Sequence, residues 1–259
     1  MKITAWNIYQ GGAGRAESIL SVLENLNPDV IVLSEYHPER SRSLLKLLSD
    51  KGWGFQSKNF SETSGAGIAV ISRVKFVRLD EPDRAPKGRW IQIRIPSEDL
   101  VLCAAYGPLQ SRPKGEFWDW MISEVQPLLN QRTIIIGDLN NGLFPGDHPE
   151  HARPLPKWKK MQELIAAGWC DLYRNSNPEG RDRSWWTAKS AGFRIDHAFV
   201  SPPLIIQSTS VKYWRSIDGV DIPIVDTNGA SAGWSKRVAS DHALLEVTLA
   251  SQLREAKLA

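Results

Sequence analysis

Strand-length apolar runs recur along the whole chain, and the polar residue that ends each of them is its most constraining feature. KITAW stops at Asn7, DVIVLS at Glu35, LVLCAA at Tyr106 and TIIIG at Asp138. Amphipathic segments lie between the runs. ESILSVLENLN sets Ile19, Leu23 and Leu26 at helical spacing before Asn27-Pro28, and PERSRSLLKLLSDKG reads as a helix stopped by Gly52. GIAVIS, KFVRL and WIQIRI read as strands, and a helix is expected from about Glu116 to Leu129. A Pro-, Gly-, Asn- and His-rich loop from 139 to 156 then leads to the helix KWKKMQELIAA, stopped by Gly168. RIDHAFVS and DHALLEVTL close the chain as strands, and the stretch from about Tyr213 to Lys236 is left unassigned. So many strands with interspersed helices imply stacked layers of sheet and helix, an α/β (α+β) arrangement.

Composition narrows the class. The 259 residues carry 32 Lys and Arg against 29 Asp and Glu, a net charge of +3, with 42% hydrophobic and 24% charged residues. That balance excludes collagen, disorder and coiled coil, and falls short of the basic footprint of a dedicated nucleic-acid coat. No apolar run approaches the roughly 18 to 20 residues that cross a bilayer, and MKITAWNIYQ alternates instead of pairing a basic segment with an apolar one. The expectation is a soluble, cytoplasmic monomer with no membrane partner. Cys103 and Cys170 lack metal-ligand spacing and read as small buried thiols in a reducing compartment. With no internal repeat and no linker composition, residues 1–259 read as one domain.

The chemistry lies at the strand ends, where a fixed backbone opens onto a cleft. Asn7, Glu35, Tyr106, Asp138 with Asn140, and Asp241 with His242 all occupy such ends, and Asp196 is a carboxylate inside the otherwise apolar RIDHAFVS. Each has a plain reading too: Asp138 as a turn former, Glu35 as a solvated edge charge, Tyr106 as a packed ring. Taken together, carboxylates and amides at one rim make a hard, oxygen-rich site suited to Mg2+ or Mn2+, and the absence of Cys/His pairs argues against structural zinc. A His beside one Asp, with a second Asp to orient the ring, suits proton donation to a phosphoryl oxygen or a leaving group. Phosphate ester chemistry is the natural expectation.

The ordered set WN at 6–7, PDVIVLSE at 28–35, AAYGP at 104–108, IIIGDLN at 134–140, WWTAKSAGFRIDHAFVS at 185–201 and SDHALLEV at 240–247 resembles the endonuclease/exonuclease/phosphatase superfamily, whose fold is that of deoxyribonuclease I. The Trp-Trp-Thr segment, GFRID and SDHA look most like the branch of exonuclease III and the abasic-site endonucleases. The resemblance implies two mixed β-sheets packed face to face with helices on both outer faces, a four-layer sandwich. It also implies Glu35 as principal metal ligand with Asn7 and Asp241 nearby, and Asp138 activating a water positioned by Asn140. His242 would share the phosphate charge and be oriented by Asp196, and Tyr106 would donate to the phosphate or assist the leaving oxygen.

Three departures bear on substrate preference. Tyr9 stands two residues after Asn7, where relatives often carry a metal-binding Asp or Asn, so one Mg2+ is expected at rest. Gly107 separates Tyr106 from Pro108, and DHPEHARP is unlike the loops of the abasic-site enzymes. Trp185 and Trp186, among Arg174, Arg181, Arg183, Lys189 and Arg194, suit contact with a base or abasic site beside a phosphate track, which makes Trp185, Trp186 and Arg194 the candidate substrate contacts. His148 and His151 lack a third ligand and read as a solvated loop pair, and Lys157, Lys159 and Lys160 read as a solvated helix face. The favoured expectation is a Mg2+-dependent nuclease on DNA, with a role in DNA repair if it cuts at abasic sites. The alternatives are a phosphatase or phosphodiesterase acting on a small molecule or lipid headgroup, and a binding module without catalysis.

Overall fold

Side-chain alternation along the strands decides the layering. In the computed structural model, which describes residues 1–80, 82, 84–187, 191–205, 207–217, 220–221 and 239–250, the first half runs β1 (Lys2–Asn7), α1 (Ala16–Leu26), β2 (Val30–Ser34), α2 (Arg42–Asp50), β3 (Phe55–Phe60), β4 (Gly67–Ser72), β5 (Val77–Arg78), β6 (Trp90–Ile95), β7 (Leu100–Ala105) and α3 (Ser111–Val125). The second runs β8 (Thr133–Asp138), α4 (Lys159–Ala166), β9 (Cys170–Asp171), α5 (Leu172–Ser176), β10 (Trp185–Trp186), β11 (Gly192–Phe193), β12 (Asp196–Val200), α6 (Pro202–Ile205), β13 (Ser208–Trp214), β14 (Ser216–Ile217), β15 (Val220–Asp221) and β16 (Leu244–Leu249).

Two six-stranded sheets result, ordered β13-β16-β1-β2-β4-β3 and β5-β6-β7-β8-β12-β9. In each, one parallel pair, β1 with β2 and β7 with β8, sits in the middle of otherwise antiparallel neighbours. The two parallel pairs are joined through α1 and α3, as parallel neighbours require a long crossover. Both sheets thus have the same pattern of directions, without any repeat in the sequence.

Ile3 and Ala5 of β1, Val30 and Val32 of β2, Leu102 and Ala104 of β7, Ile134 and Ile136 of β8, and Ala198 and Val200 of β12 meet in the core between the sheets. The alternate residues face outward. Trp6, Ile31 and Leu33 pack under Ile19 and Leu23 of α1 and Leu44 and Leu48 of α2. Val101, Cys103, Ile135 and Phe199 pack under Phe117 and Met121 of α3 and Met161 and Leu164 of α4. The four-layer sandwich of the sequence reading is the observed fold. One further step along the inner face carries Asn7, Tyr106, Asp138 and Asp196 to a common rim.

Local differences have identifiable causes. The helix expected from about Glu116 begins at Ser111, because Pro113 is tolerated in a first turn, where its missing N–H costs nothing. KFVRL pairs only over Val77–Arg78, while FQSKNF, whose polar residues hid its period, forms the edge strand β3. β13 covers the beginning of the unassigned stretch, most of which lies outside the described residues, as does Lys189. Cys103 is buried, but Cys170 is only partly so. Among the described residues, no helix is long and apolar enough to cross a membrane.

The 139–156 loop is fastened to the sheet by buried charge. Arg194, fully buried, donates Nε to Asp147 Oδ1 at 2.8 Å and Nη2 to Asp171 Oδ2 at 2.7 Å. Arg174 reaches the same Asp147 carboxylate. Burial alone would raise the Asp171 pKa, but Arg194 and His197 hold it well below the usual carboxylate range. His148 is part of this fastening and is buried, contrary to the solvated pair expected: its Nδ1 lies 3.2 Å from Leu143 O, and its Nε2 accepts from Leu155 N at 3.0 Å. His151 is the exposed member.

Replacing Arg194 by Met leaves the buried Asp171 without its guanidinium and Asp147 with Arg174 alone, and should cost about 3–5 kcal/mol by urea unfolding at pH 7. Because the Asp171 pKa is depressed, its contribution is complete above about pH 4 and is lost as the pH falls toward the depressed value. The gap between wild type and Arg194→Met should therefore narrow at pH 3.

Candidate active site

Strand register brings the rim residues together. Asp196 of β12 is the cross-strand partner of Asp138 of β8, and Asn7 of β1 is the partner of Ser34, the residue before Glu35. Glu35 has a left-handed backbone (φ 61°), as do Tyr9, Gln10 and Asn140. Non-glycine residues occupy that region at a cost, and four of the nine that do so among the described residues lie at or beside this cleft. Gly107 is required by a close approach: a Cβ there would lie 2.2 Å from Leu139 O. The glycine noted after Tyr106 thus lets the end of β7 press against the turn that follows β8.

Asn7 joins the two sheets. Its Nδ2 donates to Glu35 Oε1 at 3.1 Å and to Asp138 Oδ2 at 2.9 Å, so the two carboxylates flank a single amide nitrogen. Its Oδ1 accepts from Tyr9 N at 2.9 Å, and Glu35 Oε2 accepts from Gln10 N at 2.6 Å. Asp138 Oδ1 accepts from Asn140 N at 2.8 Å, and Asn140 Nδ2 donates to Gly107 O at 2.9 Å. With its nitrogen so committed, Asn140 has Oδ1 left to accept from a ligand.

His242 meets Asp138 from the other side. Its Nδ1 lies 2.9 Å from Asp196 Oδ2, its backbone N donates to Ser240 Oγ, and its carbonyl accepts from Trp6 Nε1 at 3.0 Å. One ligand atom from each of Asp138, Asp196 and His242 lies within 4.8 Å of the others. Burial disfavours charge on the ring, but Asp196 first, and then Asp138 and Asp241, outweigh it and carry the His242 pKa up to about 10. Burial and the neighbouring Asp196 push Asp138 up to about 7, against the pull of His242, Asn7 and Asn140. Both shifts run in the direction that favours a protonated imidazole facing a carboxylate that can take up a proton.

Tyr106 is buried beside these acids. Burial, Glu35 and Asp138 drive its pKa well above the ordinary phenol value, so it stays a hydroxyl donor. The Arg89 guanidinium lies 4.9 Å from its ring centroid and donates to its carbonyl. Asp241 Oδ2 accepts from Trp185 Nε1 at 3.3 Å. Asp241 Oδ1 and Asp196 Oδ1 are buried and, among the described residues, have no hydrogen-bond partner. Buried carboxylate oxygens left in this state call for a cation or a donor from a ligand. Glu35 and Asp241 line the same cleft, and hard oxygens of this kind suit a divalent cation.

The cleft has a volume of about 350 Å3; Asn7, Glu35, Tyr106, Asn140, Asp241 and His242 line its polar side. Trp185, Phe193, Ile195, Leu155 and Leu109 form an apolar wall. Of the three expected substrate contacts, Trp185 is at the cleft. Trp186, next to it on a two-residue strand, is not among the lining residues and instead lies 5.1 Å from the Arg215 guanidinium. Arg194 is withdrawn altogether, since its guanidinium is spent on Asp147 and Asp171. Arg174 and Arg183 likewise bind backbone carbonyls of the loop, including Gly146 O. Asp147, Asp171 and His197 also lie within metal-binding distance of one another, but Arg194 and Arg174 already supply their positive charge. Lys114, which sequence reasoning did not single out, lines the cleft with its Nζ 2.8 Å from Asn140 O.

Comparison with known proteins gives this architecture a family. A 3'-5' exonuclease (NExo) from Neisseria meningitidis is similar over 96% of this chain and 100% of its own, with 19% identity and a TM-score of 0.74. The 3' phosphatase NExo from Neisseria bound to product DNA hairpin is similar at 20% identity and a TM-score of 0.74, over 96% of this chain and 99% of its own. An AP endonuclease from Archaeoglobus fulgidus gives 18% identity and a TM-score of 0.77, over 96% of this chain and 99% of its own. At these identities the likeness is one of fold. A search of curated proteins gave no match. The family model described as Endonuclease/Exonuclease/phosphatase family matches residues 4–242, and the chain belongs to that family of phosphoester-hydrolysing enzymes.

Proposed function

We propose that the protein is a metal-dependent phosphodiesterase that hydrolyses the DNA backbone, with abasic sites as a substrate its cleft could accept. The observation that carries this reading is the single amide of Asn7 holding Glu35 and Asp138 together, with the His242–Asp196 pair against Asp138. In-line displacement at phosphorus needs a positioned nucleophile, compensation of developing negative charge and a stabilised leaving oxygen. Asp138 accepts the proton of the attacking water, and Asn140 Oδ1 orients that water. His242, with Nδ1 given to Asp196, offers Nε2 to a phosphate oxygen. Tyr106 donates its hydroxyl to the phosphate or to the leaving oxygen.

Glu35 and Asp241 would hold one Mg2+ or Mn2+, which when bound would polarise the phosphoryl oxygen and offset its charge, while Asn7, expected as a ligand, presents its amide nitrogen to the acids and would position Glu35 instead. The apolar wall of Trp185, Phe193 and Ile195 beside the acids suits the flat face of a sugar or base. The printed descriptions of the structural neighbours, an exonuclease, a phosphatase bound to a DNA hairpin and an AP endonuclease, support nucleic acid over a lipid headgroup.

On a duplex with a synthetic abasic site and Mg2+, Asp138→Asn and His242→Ala should each lower kcat by at least about a hundredfold, with little change in KM. Unchanged turnover in either variant removes that residue from the mechanism. Trp185→Ala should mainly raise KM, by about tenfold, as befits the loss of one stacking contact. EDTA and Glu35→Ala should each abolish cleavage, and added Mg2+ should restore only the chelated wild type. Inactivity on DNA and RNA, together with turnover of inositol phosphates or sphingomyelin, would reverse the assignment in favour of a small-molecule or lipid phosphoester.

A further inference from the structure

Lys114 is the cation of the cleft that the reading above leaves without a task. It lies in the first turn of α3, is only 2% exposed, and lines the same cavity as Glu35, Asp241 and His242. An ammonium has three N–H donors and no acceptor. Among the described residues, Lys114 meets one acceptor, the carbonyl of Asn140 at 2.8 Å, and forms no ion pair. Lys160 on the neighbouring helix, by contrast, is flanked by Asp119 and Glu163.

A buried ammonium with one neutral partner is an expensive way to hold a carbonyl, since its desolvation is not repaid by a countercharge. Burial pushes its pKa down to about 8, and the Asp138 carboxylate opposes this only in part. A neutral donor would clamp Asn140 at lower cost. A cation is favoured where an anion arrives, and the cavity it lines is where the scissile phosphate would bind.

Resting on the phosphoester reading of this cleft, we infer that Lys114 is a substrate-contacting residue: one N–H is anchored on Asn140, and a second binds a non-bridging oxygen of the bound phosphate. The contact is a charge-assisted hydrogen bond to a phosphate, separate from the one His242 makes. It adds positive charge on the Asp138–Asn140 side, where the attacking water carries its own electron density toward phosphorus. Because Asn140 orients that water, the anchor also ties phosphate position to water position.

The test is the binding of inorganic phosphate, with Mg2+ present, to protein labelled with 13C and 15N in lysine. The Lys114 side-chain signals are assigned by their absence in Lys114→Met and in Lys114→Arg. The wild-type Lys114 signals should shift on saturation, Lys114→Met should bind phosphate about tenfold more weakly, and Lys114→Arg should stay within about threefold of wild type. Phosphate affinity that is the same in Lys114→Met, or Lys114 signals that stay put while the wild type binds, would leave Lys114 as a clamp on Asn140 and overturn the inference alone. A wild type that neither binds phosphate nor hydrolyses any phosphoester would overturn the reading of the cleft itself. Should Lys114→Met fail to fold, Lys114→Arg still assigns the signals, and their response in the wild type decides.

Discussion

The amide nitrogen of Asn7, placed between two carboxylates, is the joint on which the molecule depends. Each sheet presents its inner face as a continuous apolar surface until the last residue, and there each turns polar: Asn7 on one side, Asp138 on the other. Burial and the nearby Asp196 disfavour charge on Asp138. Asn7 answers by donating to both Glu35 and Asp138, at 3.1 and 2.9 Å, which a carboxylate or a hydroxyl at the same position could not do. Apolar burial between the sheets closes the core, and this one side chain reconciles the polar ends that the closure brings together.

Strand β12 divides the remaining buried charge between two tasks. Asp196 and His197 are adjacent and point to opposite faces. Asp196 takes Nδ1 of His242 and sits across from Asp138, whereas His197 contacts Asn141 O and Asp171. The second group is closed, because Arg194 and Arg174 together neutralise Asp147 and Asp171 from within the protein. The first is open: Asp196 Oδ1 and Asp241 Oδ1 have no protein donor among the described residues. A closed buried charge group holds a loop to a sheet, and an open one awaits a ligand.

That distinction explains what could be read in the sequence. The acids and amides at strand ends were legible because strand periodicity sends Asn7, Tyr106, Asp138 and Asp196 to one face without any knowledge of tertiary contacts. Arg194 was misread because an arginine beside two tryptophans resembles a nucleic-acid track, while the acids that claim it stand 47 and 23 positions away. His148 was misread for a different reason: its partners Leu143 O and Leu155 N are near in sequence but are backbone groups that carry no sequence signature. Lys114 escaped because Pro113 and Gly115 flank it, and a helix start placed at Glu116 leaves it in a loop. Local pattern specifies which face a residue takes; it does not specify which distant charge will meet it there.

The left-handed residues around the cleft point to how the site is kept ready. Tyr9, Gln10, Glu35 and Asn140 each carry a positive φ, at a cost of about 1 kcal/mol or more apiece. A loop free to relax would shed that strain. Here it is retained because the backbone groups involved are tied down: Gln10 N to Glu35, Tyr9 N to Asn7, Asn140 N to Asp138, and Gly107 N to Asp138 O at 2.8 Å. Each tie runs to a residue at the end of, or just beyond, a core strand, so the stability of the two-sheet core is what sustains the strained turns. The carboxylates, the amides and the imidazole consequently hold their places before a ligand arrives, which is the condition for electrostatic stabilisation to act without reorganisation at the moment of bond breaking.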